Sequence, residues 1–298
     1  MEKIPDKQSI IENAESYLRE RSKLVEQAMN EYLADADESI QLLIEAIKYS
    51  LFAGGKRLRP VLVLASAELF GGDIEKAKMT ASAIEMIHTY SLIHDDLPEL
   101  DNDDYRRGKP TLHKVYGGAI ALLAGDGLLT LAFELLGRTG NPEVVVEVAK
   151  SAGIRGMVGG QFMDLEAEGK QIPYEKLKQI HKLKTGALIT TSLRVGALIS
   201  NAKEHDLNAI TRYGENLGIA FQIVDDILNV VGDEKKMGKP TGTDAKLKKS
   251  TYPSLFGIEK SRELAKMHIE QAIESIQEYG DKADPMRYLA WYVIFREK

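Results

Sequence analysis

The sequence predicts an all-α fold in a single domain, and three observations carry that expectation. Apolar residues recur at helical spacing through almost all of the 298 residues, and Gly and Pro fall where helices should end, as at Gly54-Gly55, Gly71-Gly72, Gly159-Gly160 and Gly238 to Pro240. No Pro/Ser-rich or low-complexity stretch divides the chain, so residues 1–298 read as one helical domain.

Residues 8 to 50 read as two amphipathic helices. Ile40, Leu43, Ile44, Ile47 and Leu51 keep helical spacing until Gly54-Gly55 stops the second. Pro60 opens the next helix, because the first helical turn does not need the missing N–H. Lys56, Arg57 and Arg59 then lie in a short loop at a helix N-terminus, where anions are already favoured. The same pattern also describes a plain helix–helix corner with exposed basic side chains.

The helix from Ala77 to about Leu97 carries Asp95 and Asp96 at its C-terminal end. Pro98 disfavours a helical Leu97, so the helix stops there and passes Asp101 to the following turn. Two carboxylates at a helix C-terminus oppose the macrodipole, which calls for a compensating cation. His88 lies seven positions before Asp95, on the same face and about 10 Å away. It can serve a second anionic ligand or be a satisfied structural histidine.

Ala119 to Leu136 is the most apolar stretch, but Asp126 and Glu134 interrupt it, so a core helix is expected and a membrane span is not. Gly156, Gly159 and Gly160 precede Gln161 and Asp164, the mark of a close helix approach or a break near a site. Lys184 and Thr185 stand before Gly186 in a helix rich in Leu, Ile, Ala and Thr. The second acidic helix runs from about Arg212 to Val231, with Leu217, Phe221, Val224 and Leu228 on one side and Gln222, Asp225, Asp226 and Asn229 forming a polar stripe. Such a stripe is ordinarily the wet side of a helix. Here the neighbours Ile223, Val224, Ile227 and Leu228 are so apolar that the helix reads as buried, with the stripe facing a polar cavity.

A net charge of −6 argues against a nucleic-acid partner. There is no cysteine, which removes disulfide, thiolate and zinc–cysteine chemistry and suits a reducing cytoplasm. Met1 to Asp6 lacks an apolar signal core. Cations instead gather locally, at Lys56, Arg57 and Arg59, at Arg106, Arg107 and Lys109, and at Lys246, Lys248 and Lys249. Isolated runs of this kind are usually solvated faces, but the first two abut a helix end or an acidic motif. Asp95-Asp96 with Asp101, and Asp225-Asp226 with Asp233, are two clusters of mutually repelling carboxylates on apolar helices. Mg²⁺ is the natural cation between them, because it shares hard oxygen ligands with phosphates.

Gly54-Gly55-Lys56-Arg57-Leu58-Arg59-Pro60, Asp95-Asp96-Leu97-Pro98-Glu99-Leu100-Asp101, Arg106-Arg107-Gly108-Lys109-Pro110-Thr111 and Phe221-Gln222-Ile223-Val224-Asp225-Asp226 together resemble the trans-prenyl diphosphate synthases. Each motif is weak alone; the ordered set is specific, and the resemblance runs from about residue 35 to the C-terminus. The spacing of the first acidic motif, and Gly238-Lys239 through Asp244, look like the bacterial farnesyl diphosphate synthases. That family implies a helical bundle around a deep central cavity, usually in a homodimer, and about three Mg²⁺ ions per site. The resemblance implies that Lys56, Arg57, Arg59, His88 and Arg107 bind isopentenyl diphosphate. Arg106, Lys184, Thr185, Gln222 and Lys239 would contact the allylic partner, dimethylallyl or geranyl diphosphate. Asp95, Asp101 and Asp225 would hold metal, with Asp96 in support; Asp95, Asp96, Asp101, Arg106, Lys184 and Asp225 form the implied catalytic set.

The chain departs from the family in one place that bears on metal. The second motif normally ends in Asp, where this chain has Asn229, so a functional enzyme with a higher Mg²⁺ requirement is expected. Trp291 also stands where relatives often have Asp. Tyr90 and Ser91, five and four positions before Asp95, correspond to the floor of the growing-chain pocket, and the ring at Tyr90 points to a fifteen-carbon product. A geranylgeranyl diphosphate synthase differs only in pocket depth. A terpene cyclase would have no use for Lys56, Arg59 and His88, and the retained Asp95, Asp101, Asp225, Arg106 and Arg107 argue against a catalytically silent subunit.

Overall fold

The computed structural model describes residues 6–34, 37–231 and 250–296. Asp6 caps the first helix by accepting the Ser9 N–H at 3.2 Å, and α1 (Lys7–Tyr32) follows. A 3₁₀ turn (Glu38–Ile40) leads into α2 (Gln41–Leu51), and a loop then leads to α3 (Leu58–Leu69). Asp73 accepts two backbone N–H groups and starts α4 at Ile74, earlier than the expected Ala77; α4 ends at Asp95. Strands β1 (Tyr105–Arg106) and β2 (Lys109–Pro110) form a short antiparallel hairpin. Next come α5 (Leu112–Tyr116), α6 (Gly118–Arg138), α7 (Pro142–Ala152), α8 (Met157–Ala167) and α9 (Tyr174–His181). A π-turn (Lys182–Gly186) joins α9 to α10 (Ala187–Ile199). The remaining helices are α11 (Glu204–Val231), α12 (Tyr252–Phe256), α13 (Ile258–Ser275) and α14 (Asp284–Phe295).

Three further boundaries differ from the sequence reading. Helix α3 begins two residues before Pro60, because Arg57 takes a left-handed conformation (φ +51°) as its N-cap and leaves Pro60 inside the first turn. Helix α11 begins at Glu204 rather than near Arg212, its apolar stripe extended by the buried Ala209 and Ile210. Gly159 and Gly160 lie within the first turns of α8, not at a helix end.

Burial explains the arrangement. Helix α4 is buried on every side from Ala81 to Ile87, so it runs through the interior with no wet stripe. It packs on α3 and α6, while α11 packs on α10 and α13. The apolar interior falls into two clusters. One gathers α2, α4, α6 and α7; the other gathers α11, α13 and α14. Helices α3 and α10 serve both, with Val63, Leu64, Leu188 and Val195 facing the first cluster and Val61, Leu62, Ile189 and Leu193 the second. The two acidic motifs are thus carried by helices from opposite sides of this α3–α10 partition. Helix α6 is long and apolar enough to cross a membrane by composition, yet it buries Ala121, Ala124, Leu128, Ala132, Leu135 and Leu136 against the first cluster.

Candidate active site

The first acidic motif is shaped by the C-terminus of α4. Asp101 donates its backbone N–H to the Asp95 carbonyl at 2.9 Å, which folds the loop back on the helix end. Burial pushes the Asp95 carboxyl up to about 6; Asp101 and Asp96 push the same way, while Lys184 and Arg106 pull against them. Asp96 points inward, 4% exposed, and accepts from Arg106 Nε at 2.6 Å. Arg106, at the end of β1, also reaches Asp103 at 3.2 Å. Burial works against the Arg106 charge, but the bond to Asp96 and the charges of Asp96, Asp103 and Asp95 together outweigh it and raise the guanidinium pKa.

Lys184 sits in the π-turn, the kind of helix defect often found at functional positions. Its Nζ donates to Asp164 Oδ2 of α8 at 2.7 Å. The approach needs Gly160, since a Cβ there would lie 2.2 Å from the Lys184 backbone nitrogen. Close helix approach was one of the two expectations for these glycines, and α8 meets it.

From Thr185, a chain of bonds runs to the second acidic motif. Thr185 Oγ1 donates to Gln222 Oε1 at 2.9 Å, Gln222 Nε2 to Asp226 Oδ1 at 3.0 Å, and the Tyr252 N–H to Asp226 Oδ2 at 3.0 Å. The expected stripe therefore divides. Asp226 and Asn229 are buried, whereas Asp225 is partly exposed and takes Arg296 Nη2 at 2.5 Å. Both motifs use their second aspartate as an internal anchor and present the first.

The cations form a second centre. Arg59 Nη1 lies 3.4 Å from His88 Nε2, and Arg59 Nε is buried without a hydrogen-bond partner among the described residues. Burial and then Arg59, Arg107, Arg106 and Arg57 hold the His88 imidazole well below its ordinary pKa, so it is neutral. Arg107, itself left-handed at φ +54°, donates to the Gly54 carbonyl. Its guanidinium lies over Gly55, where a Cβ would be 2.6 Å from Cζ and where φ is +115°. Lys56 Nζ is buried in the same loop.

Arg57 is the correction. Sequence placed it among the cations that bind isopentenyl diphosphate, but it is 3% exposed and committed inward. It donates to Glu85 Oε1 at 2.6 Å, the Leu51 carbonyl at 2.5 Å and Glu26 Oε1 at 3.1 Å. Tyr90 is buried and meets the His94 ring edge-on at 5.7 Å, while Ser91 Oγ donates to the His88 carbonyl at 2.9 Å. Lys239, with the third basic group and Asp233, lies outside the described residues.

Sequence reasoning missed Arg296 and Glu85. Arg296 follows an apolar helix with no motif around it, and only the tertiary fold brings it to Asp225. Glu85, one turn before His88, carries the i, i+3 signal of a shared face, but its burial is invisible in the local pattern.

The carboxylates fit a divalent cation. They offer hard oxygens, Asp95 is a largely buried carboxyl with Asp101 and Asp96 close by, and Asp225 already holds a positive group, although among the described residues no three such side chains are gathered into one cluster. The polyprenyl synthetase family model matches residues 40–288. A geranylgeranyl diphosphate synthase from Cyanophora paradoxa is 47% identical over 95% of this chain and 97% of its own length. A farnesyl diphosphate synthase from Escherichia coli (strain K12) is 44% identical over 93% of this chain and 96% of its own. Among solved structures, a polyprenyl synthase from Caulobacter crescentus CB15, complexed with calcium and isoprenyl diphosphate, superposes with a TM-score of 0.86 at 26% identity, covering 95% of this chain and 98% of that one. With an ordered set of motifs, a helical bundle and matches along nearly its whole length, the chain belongs to the polyprenyl synthetase family and is a prenyltransferase of trans-prenyl chain elongation.

Proposed function

We propose that the product is farnesyl diphosphate, made from isopentenyl diphosphate and dimethylallyl or geranyl diphosphate. The observation that carries this is Tyr90. It is buried on α4 five residues before Asp95 and is braced by His94, where an alkyl chain growing down from the acidic motif would meet it. The names of the relatives divide between farnesyl and geranylgeranyl products, so pocket depth is what the proposal stakes.

In this reading Arg106 and Lys184, with Thr185, Gln222 and Lys239, hold the allylic diphosphate. Lys56, Arg59, His88 and Arg107 hold isopentenyl diphosphate. Asp95, Asp101 and Asp225 would hold Mg²⁺, three ions per site in this reading, and the bound metal would neutralise the departing diphosphate. The neutral His88 can donate one N–H to a phosphate oxygen while Nε2 faces Arg59. Arg106 and Lys184 stabilise charge that grows as the allylic C–O bond breaks. The allylic cation is captured by the double bond of isopentenyl diphosphate, and a proton then passes to the released diphosphate. No protein nucleophile is needed, and juxtaposing the two substrates accounts for much of the rate.

The same proposal includes a homodimer in a reducing cytoplasm. Val158, Phe162 and Leu165 are exposed along α8, Ile154 is exposed in the turn before it, and Leu122 and Leu123 are exposed on α6. An apolar stripe of that kind supports a second copy as its cover. Sedimentation of the protein, alone and as Phe162→Glu, tests it.

The deciding experiment incubates the protein with Mg²⁺, labelled isopentenyl diphosphate and either allylic substrate, then dephosphorylates and sizes the alcohols. Farnesol supports the proposal. Geranylgeraniol keeps the reaction and rejects the Tyr90 floor.

A further inference from the structure

Glu85 is a carboxylate buried among arginines, 1% exposed, and no step of the reaction above uses it. It lies on α4 one turn before His88. Its direct partner is Arg57 Nη1 at 2.6 Å, and both side chains are almost fully enclosed, at 1% and 2% exposure. Arg57 spends its other N–H groups on the Leu51 carbonyl, at the end of α2, and on Glu26 of α1. One guanidinium therefore ties three helices to the residue that caps α3.

That residue governs the presentation of its neighbours. Arg57 is left-handed at φ +51°, so the direction of the chain through Lys56 and into Arg59 depends on this conformation being held. The preceding glycines, whose carbonyl and open backbone seat Arg107, belong to the same loop. Lys56, Arg59 and Arg107 thus share one mounting, clamped at Arg57. Glu85 is also the leading favourable charge on both Arg59 and Arg107, each of which burial otherwise pulls toward the neutral form.

We propose that Glu85 is a positioning residue for the non-allylic diphosphate: through Arg57 it fixes the loop that presents Lys56, Arg59 and Arg107, and it is the resident anion among them. The inference rests on the reading that this cluster binds isopentenyl diphosphate. A role in folding alone would lower stability and degrade both substrates together. A role as a stray negative charge would have the opposite sign, because its removal would tighten an anion.

Glu85→Gln keeps the shape and an acceptor for Arg57 but removes the charge. Because the cluster is built of cations, its ligand needs no metal, so isopentenyl diphosphate can be titrated calorimetrically into the full-length protein in the presence of a chelator. The expected result is binding weakened about tenfold, the loss of one charge-assisted contact. The KM for isopentenyl diphosphate should rise in step, with the KM for geranyl diphosphate changed less than twofold and Glu85→Asp partly restoring both readouts. Unchanged or tighter binding, or parallel rises in both KM values, overturns the proposal. Arg59→Gln in the same titration separates the two claims. If it binds normally, the assignment of the cluster is wrong; if it binds weakly while Glu85→Gln binds normally, only the positioning role fails. Should Glu85→Gln not fold, Arg57→Lys carries the test, since it keeps one donor for Glu85 and loses the ties to Leu51 and Glu26. It must weaken isopentenyl diphosphate selectively, and failure to do so overturns the proposal.

Discussion

Arg296 Nη2 lies 2.5 Å from Asp225 Oδ1, a contact that spans 71 positions of sequence. The guanidinium also packs over the Phe221 ring at 4.1 Å and donates to the Phe221 carbonyl at 3.1 Å. The guanidinium is 5% exposed but the Asp225 carboxylate is 41% exposed, so water screens the contact from the carboxylate side. The presented carboxylate of the second motif is thereby occupied by a cation from the end of α14.

A metal ion at Asp225 competes with this arginine for the charge of one carboxylate. Arg296→Gln is therefore expected to tighten Mg²⁺ binding in the absence of substrate, by up to about tenfold for the loss of one charge-assisted competitor. Calorimetric titration of Mg²⁺ into the two proteins measures it; equal affinities would show that Arg296 and the metal do not compete.

Gly160→Ala tests the mounting of Lys184. The added Cβ meets only backbone, 2.2 Å from Lys184 N and 2.6 Å from its Cα, so no side chain can swing aside. Displacing the π-turn should cost about 1–3 kcal/mol of stability, as overpacking does. It should also raise the KM for the allylic substrate more than that for isopentenyl diphosphate. Steady-state kinetics with each substrate varied in turn, together with a thermal melt, would expose a misassigned Lys184 if the two KM values moved equally.

Tyr90→Ala opens the floor. The ring is buried at 7% exposure, and its removal should cost about 3–5 kcal/mol, in the range of large aromatic truncations. If the ring stops the chain, the variant makes products of twenty carbons or more. Product sizing that still shows only farnesol would place the floor elsewhere.

Much of this was legible in the sequence because it is local. Helical periodicity exposed α11, and Pro98 marked the end of α4 that carries Asp95 and Asp96. The misreadings share a cause. Arg57 and Arg59 look alike in sequence, but only the left-handed cap and the buried Glu85 turn one inward and leave the other beside His88. Asp226 belongs to the same stripe as Asp225, yet the Tyr252 N–H, 26 positions on, claims it. Arg296 reaches the site only through the packing of α14 on α1 and α11.

His181 sets a pH dependence of stability. Its ring stacks on Tyr252 at 5.7 Å, and burial lowers its pKa from 6.5 to about 4. The unfolded chain therefore binds a proton below pH 6.5 that the folded chain refuses. Stability contributed by neutral His181 is complete above 6.5 and falls between 6.5 and 4, by at most about 3 kcal/mol. Asp95 works the other way, since its raised pKa stabilises the fold as pH falls from about 6. The wild-type slope mixes the two, and subtracting the slope of His181→Gln isolates the histidine. Denaturant melts from pH 7 to 4 should show the variant losing less stability on acidification; parallel curves would remove His181 from the balance.

Asn229→Asp brings the stability and the metal chemistry into opposition. Position 229 lies one turn beyond Asp225 and is 7% exposed, so a carboxylate there is largely desolvated. Without metal the variant should melt lower than the parent, because it adds an anion to an acidic face with no new cation. With Mg²⁺ the order should reverse or narrow, since the same charge supplies a ligand or an acceptor for metal-bound water. The half-saturating Mg²⁺ concentration for turnover should fall accordingly. Melts with and without Mg²⁺, alongside a Mg²⁺ titration of activity, separate this from a general defect: a folding defect lowers both melts equally. An unchanged half-saturation would mean that Asn229 costs the enzyme nothing, and that Asp225 alone carries the cation on this wall.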